Sequence, residues 1–131
     1  MRCVPVMALL ATAACYPDET VSGYGAADRV WELTEIDGMT FSERATLRFP
    51  EPGRVAGEAP CNSFGADQTA PYPWFETGPI AATRMACAAL PAEARFLETL
   101  AAMTLAEVKG DVLILSNDDG REMLFHANPD E

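Results

Sequence analysis

The spacing of turn-forming residues constrains this chain most. Asp37-Gly38, Pro50-Glu-Pro-Gly53, Gly110-Asp111 and Asn117-Asp-Asp-Gly120 cut it into pieces of strand length. A parallel pair needs a crossover of about a dozen residues or more, so strands joined this tightly run mostly antiparallel. Val30 to Ile36 alternates, with Trp31 and Leu33 inward and Val30, Glu32, Thr34 and Ile36 on the other face. Ala45, Leu47 and Phe49 share one face of the next strand, and Arg54 to Gly57 returns beside it. Prolines 71, 73 and 79 make Tyr72 to Phe75 an edge or irregular segment, followed by a short strand at Gly78 to Ala82. Leu105–Lys109, Val112–Ser116 and Arg121–His126 read as three closing strands. Val112-Leu-Ile-Leu115 does not alternate, which predicts a central strand covered on both faces.

One stretch has helical period. Phe96, Leu97, Leu100 and Met103 form an apolar stripe, while Arg95, Glu98 and Thr99 lie off it. Pro91 suits a first helical turn and Glu93 suits the positive end of the helix dipole. The prediction is an α+β domain: a curved, mostly antiparallel sheet or partly closed barrel carrying one helix at about residues 91–104.

Twenty acidic against nine basic residues give a net charge of −11, which argues against a nucleic-acid partner, since phosphate contacts need clustered Lys and Arg. The lone histidine, His126, excludes most His-based metal and acid–base sites and reads as a surface or packing residue at a strand end. Asp118 and Asp119 lack the spaced acids, mid-loop Gly and distant Glu of an EF-hand and read as a hairpin turn. There is no Gly-x-Ser-x-Gly, Walker-type loop, dinucleotide fingerprint or His-Glu-x-x-His, and the single Glu residues nominate no acid–base pair. The chain is therefore read as non-enzymatic, with no cofactor and no metal site.

Residues 1–15 read as an export signal. Arg2 precedes an apolar run of 11 residues from Val4 to Ala14, too short for a bilayer span, and small residues then lead to Cys15. This order resembles a bacterial lipoprotein signal, in which the cysteine is acylated and becomes the new N-terminus, although Thr12 stands where an aliphatic residue is usual. The alternative is secretory cleavage after Ala11-Thr-Ala13. Cysteine arithmetic favours lipid on Cys15: Cys3 leaves with the signal, and Cys61 and Cys87 remain as one pair in an oxidising compartment. Residues 16–27, rich in Gly, Ser, Pro and acids, read as a flexible tether, and residues 28–131 as one domain. Tyr16, rather than Asp, follows Cys15, which suits anchoring at the outer membrane facing the periplasm. A soluble periplasmic protein is the alternative.

Residues 28–126 resemble the META/HslJ domain family of bacterial envelope proteins. The likeness rests on Trp31-x-Leu33, Asp37-Gly38, Gly57-x-x-x-Cys61-Asn62-x-Phe64-Gly65, Thr83-Arg84-Met85-x-Cys87 and Glu93-x-x-Phe96-Leu97, in that order. Glu58-Ala59-Pro60 lengthens the usual step from the Gly to the Cys, so that turn is expected to differ. The resemblance implies a small β-rich domain with one helix, exported, often lipid-anchored, linked to stress or antibiotic tolerance, and without an established catalytic activity.

Cys61 and Cys87, 26 residues apart, are expected to form a structural disulfide that clips residues 66–79 onto the core; a redox or metal pair is the other reading. Asn62 is expected to bond neighbouring backbone or take an unusual backbone angle, with ligand binding as the sharper alternative. Thr83 reads as a cap or turn hydroxyl, and Arg84 as a surface ion pair or an anchor for an anionic ligand. Met85, Phe96 and Trp31 read as core. Together these point to an envelope binding or stress-tolerance module whose partners are a membrane, through Cys15, and an envelope protein. A small-ligand carrier with a cavity inside the barrel, or a protease inhibitor presenting loop 66–79, are the alternatives.

Overall fold

A computed structural model describes residues 17–128. The signal segment, Cys3 and Cys15 lie outside the described residues. The strands are β1 Trp31–Ile36, β2 Met39–Thr40, β3 Thr46–Leu47, β4 Arg54–Glu58, β5 Ser63–Asp67, β6 Ala81–Ala82, β7 Leu105–Lys109, β8 Val112–Ser116 and β9 Glu122–Ala127. Helix α1, Leu90–Ala101, sits between β6 and β7 in the chain. All strand pairs are antiparallel. One sheet runs β2-β1-β9-β8-β7 with β3 also on β1, and a second runs β4-β5-β6. An isolated bridge between Arg48 and Ala56 links the two, and the structure is an α+β fold without a closed barrel.

Local chemistry explains the main elements. Asp37 and Gly38 both take positive φ, 53° and 79°, and turn β1 into β2 as their sequence demands. Trp31 and Leu33 face inward as expected, but so does Ile36. The register of β1 on β9 shifts between Leu33 and Glu35, and that bulge moves Ile36 to the core face. Strand β8 is central, between β7 and β9; Leu113 and Leu115 are buried, while Val112 and Ile114 are partly exposed. The expectation of cover on both faces holds in part: one face is fully covered and the other only partly. Helix α1 ends three residues before Thr104, because Thr104 N already donates to Ser116 O (2.8 Å) as the β7–β8 ladder begins.

Trp31, Phe75, Phe96, Phe125, Leu100, Leu113 and Met123 fill the core between the sheets and the helix. Gly57 marks a close approach of the two sheets: a Cβ there would lie 1.9 Å from Thr46 O, so only glycine fits.

The prolines leave Tyr72 to Phe75 with a single bridge, Trp74 to Leu105, and β6 with two residues. Stretch 66–79 lies within the loop that the Cys61–Cys87 disulfide closes, and hydrogen bonds of its own also hold it. Buried Gln68 receives the N–H groups of Ala70 (3.2 Å) and Glu76 (2.8 Å) on its Oε1, and Phe75 N donates to Thr104 O (2.9 Å).

The stretch read as a tether is also corrected. Residues 21–24 form a 3-10 turn with Val21 and Ser22 buried, Ala26 is buried, and Trp31 Nε1 donates to Ala26 O (3.0 Å). Asp18 organises this turn by accepting from the hydroxyls of Thr20 and Ser22 and from Thr20 N. Burial pushes the Asp18 carboxyl up, but those hydrogen bonds outweigh it and hold it below its ordinary value.

Candidate functional site

The β4–β5 connection, residues 59–62, is a tight turn in which Ala59 N donates to Asn62 O (2.7 Å). It brings Cys61 and Asn62 under the first turn of α1. There the buried carboxylate of Glu93 accepts three hydrogen bonds. Its Oε1 receives Cys61 N and Asn62 N, both at 2.8 Å, and its Oε2 receives Asn62 Nδ2 at 2.6 Å. Asn62 completes its own set across to the next loop. Nδ2 also donates to Met85 O (3.0 Å), and Oδ1 accepts from Met85 N (2.6 Å) and Thr83 Oγ1 (2.9 Å). Both donors and both acceptor sites of the amide are thus used. Thr83 extends the ladder, exchanging its N–H with Ser63 O (3.1 Å) and receiving Ser63 N on its hydroxyl (3.2 Å).

The disulfide Cys61–Cys87, with Cα atoms 5.7 Å apart, ties the far end of the same loop to the same turn. Cys87 O then accepts from Leu90 N (3.3 Å) as the helix begins. Residues 83–90 are therefore fixed from beneath at both ends and in the middle. Outwardly the loop is bare. Ala81 through Ala88 are all exposed, Met85 to 68% and Leu90 to 40%. Asn62, Thr83, Arg84, Met85, Leu90 and Glu93 bound an open depression of about 400 Å³.

The sequence-nominated residues therefore divide. Asn62 bonds backbone as expected, but its φ is not positive, and its amide has nothing left for a ligand. Thr83, read as a cap or turn hydroxyl, instead braces two segments: its hydroxyl donates to Asn62 Oδ1 and receives Ser63 N, 21 and 20 residues earlier. Arg84 makes no ion pair among the described residues, unlike Arg29, Arg44, Arg54 and Arg121, which pair with Asp111, Glu32, Asp67 and Asp37. Met85 is a correction: a core residue was expected, but both its backbone groups are captured by Asn62 and its side chain is left outside. Phe96 and Trp31 are core. His126 is exposed, with Nδ1 3.2 Å from Thr34 Oγ1.

Sequence reasoning missed Glu93 as the centre of the site. Its signal, an acid in a first helical turn, explains itself locally, and nothing in a linear reading joins it to a turn 31 residues away. Among the described residues no cluster of three or more His, Cys, Asp or Glu is placed to hold a metal. Glu93, Asn62 and Thr83 are occupied with one another, so what faces solvent is one guanidinium set among apolar side chains. That surface is suited to recognition through shape, apolar contact and a single positive charge.

Among the described residues, two antiparallel sheets linked through one bridge, with a single α-helix and a disulfide near its start, define a small α+β domain. The META domain model matches residues 26–130, and the chain belongs to that family. Among solved structures, a protein from Burkholderia xenovorans determined by NMR shares 18% identity, with 96% of this chain and 99% of that one covered and a TM-score of 0.64. A DUF4847-family protein from Bacteroides vulgatus shares 13% identity over 82% of this chain and 97% of that one, also with a TM-score of 0.64. At such identities the likeness is one of fold. No curated protein matches significantly.

Proposed function

We propose that this META-family protein is an exported, lipid-anchored, non-enzymatic module of the bacterial envelope that docks an envelope protein through residues 83–90. The observation that carries the reading is the contrast at the site: a fully hydrogen-bonded, disulfide-clipped base beneath an exposed loop bearing Arg84, Met85 and Leu90. A loop already ordered loses little entropy on binding, and Arg with flanking apolar side chains suits the centre of an interface. The signal-like start ending at Cys15 and a disulfide suited to an oxidising compartment support export. A role in stress tolerance is consistent with such a module. The ligand-carrier reading has no observation behind it, since large side chains fill the interior.

The test is gentle detergent extraction of the envelope, capture of tagged full-length protein, and mass spectrometry. A stoichiometric partner is expected, with binding weakened by about tenfold or more, some 1.4 kcal/mol, in Arg84→Glu/Met85→Asp and unchanged in Asp119→Asn. Equal capture by the loop variant refutes docking there. A mature protein without lipid that fractionates as soluble refutes the anchor.

A further inference from the structure

The N-terminal turn carries a consequence for how the domain sits on its membrane. From Asp18 onward the chain is fixed. Asp18 accepts from Thr20 N at 2.9 Å, and a Cβ on Gly23 would lie 2.1 Å from Asp18 O, so the turn closes tightly on its own start. Tyr72 N donates to Glu19 O at 2.6 Å, which locks this segment against the proline-rich strip. Only Tyr16 and Pro17 separate Cys15 from Asp18. At roughly 3.3–3.6 Å per extended residue, Cys15 lies within about 11 Å of Asp18 and about 14 Å of Glu19.

An aromatic group adjoins this segment, since Tyr72 is the residue whose N–H meets Glu19 O. Tyr24, 51% exposed, stacks on Tyr72 with ring centroids 4.6 Å apart. The Tyr72 hydroxyl accepts from Val108 N (3.1 Å), and Trp74, 58% exposed, bridges Leu105 on the same outer strand, β7. Tyr and Trp combine an apolar ring with a polar tip and favour the headgroup zone of a bilayer. Loop 83–90 is carried elsewhere, on β6 and the start of α1.

We infer that the domain lies directly on the bilayer that holds its acyl chains, with Trp74, Tyr24 and Tyr72 at the headgroup level. This rests on acylation of Cys15, as proposed above. The occupant of the aromatic surface is the lipid surface itself, because a two-residue leash brings that surface to it. With a net charge of −11, attraction to anionic headgroups is not the source, and a zwitterionic bilayer serves equally.

The test reconstitutes the native mature protein in phosphatidylcholine vesicles with and without lipid brominated near the headgroups, and reads tryptophan emission. Trp31 is buried, so the brominated-lipid signal reports Trp74. The expected result is at least twofold quenching by brominated lipid and at least twofold protection from aqueous acrylamide. Both are lost in Trp74→Phe, and both are lost when ten Gly-Ser residues are inserted between Pro17 and Asp18. Mass spectrometry of the mature N-terminus separates the two ways of failing. A protein without acyl chains overturns the anchor and this inference with it. An acylated protein whose Trp74 stays open to acrylamide overturns the orientation alone. Protection from acrylamide without quenching by brominated lipid assigns the surface to a protein neighbour and also overturns it.

Discussion

Glu93→Gln tests the organisation of the site most directly. The side chain is nearly isosteric and stays in the first turn of α1, so helix packing through Phe96 and Leu100 is kept. What changes is the receiving group for three donors: Cys61 N, Asn62 N and Asn62 Nδ2. The amide oxygen can take the two backbone N–H groups only as neutral bonds, which are weaker than bonds to a carboxylate. Its nitrogen then meets Asn62 Nδ2 donor to donor. Hydrogen bonds to charged groups contribute about 1.5–3 kcal/mol each, and an unpaired buried donor costs about 1–3 kcal/mol. One bond lost and two weakened give a loss of about 2–4 kcal/mol, a large share of the 5–15 kcal/mol typical of a domain. With a urea slope of about 1.5 kcal/mol/M, the midpoint falls by roughly 1.3–2.7 M. Equilibrium urea unfolding followed by tryptophan fluorescence measures this. A double-mutant cycle of Glu93→Ala with Asn62→Ala should show coupling of at least about 1 kcal/mol, as expected for residues in direct contact. A Gln variant within about 0.5 kcal/mol of the native protein, or a cycle that is additive, refutes the claim that this carboxylate organises the turn.

Replacing both cysteines, Cys61→Ser/Cys87→Ser, should lower stability by about 3–4 kcal/mol, the chain-entropy value for a loop of 26 residues, while amide hydrogen exchange at Met85 stays slow because Asn62 still holds it. A loss under 1 kcal/mol, or rapid exchange at Met85, contradicts this. Asp37 gives a pH dependence. The Glu122 N–H and then Arg121 hold its carboxyl below the ordinary value of 3.8, so its contribution is complete above about pH 4 and fades as pH falls through the lower folded-state value. Asp37→Asn, which tolerates the positive φ at this position, should lower stability between pH 5 and 8 by an amount that does not vary with pH there, and flatten the stability–pH curve below about pH 4; urea midpoints across that range check it.

Much of the fold was legible because its signals are local. Asp37-Gly38 and Gly110-Asp111 specify their turns by backbone chemistry alone, and the stripe Phe96, Leu100 and Met103 specifies which way α1 faces. The misses have non-local causes. Ile36 reads outward by alternation, and only the bulge against β9 turns it in. Residues 18–27 have the composition of a tether, yet Val21 and Ala26 are buried in the core, with Ala26 O held by Trp31, which no local pattern announces. Met85 lies in an apolar run and reads as core. Asn62, 23 residues earlier, takes both of its backbone groups, and the side chain lies outside.

The same reasoning separates scaffold from surface within the family's own motifs. Gly57 is required by the carbonyl of Thr46, Asn62 by four simultaneous hydrogen bonds, and Cys61 and Cys87 by each other. Each of these has its physical reason inside the domain, and none has a group left to offer a ligand. Arg84 and the Met85 side chain are the members of the motif that the domain itself does not use. A residue whose bonding capacity is spent internally can shape a binding surface but cannot be the point of contact. If the motif serves recognition, its polar residues therefore act by holding a loop in place, and the specificity lies in the side chains that the loop carries outward. Substitutions at Asn62 or Glu93 should then show themselves first as lost stability, and substitutions at Arg84 or Met85 as lost binding with stability intact.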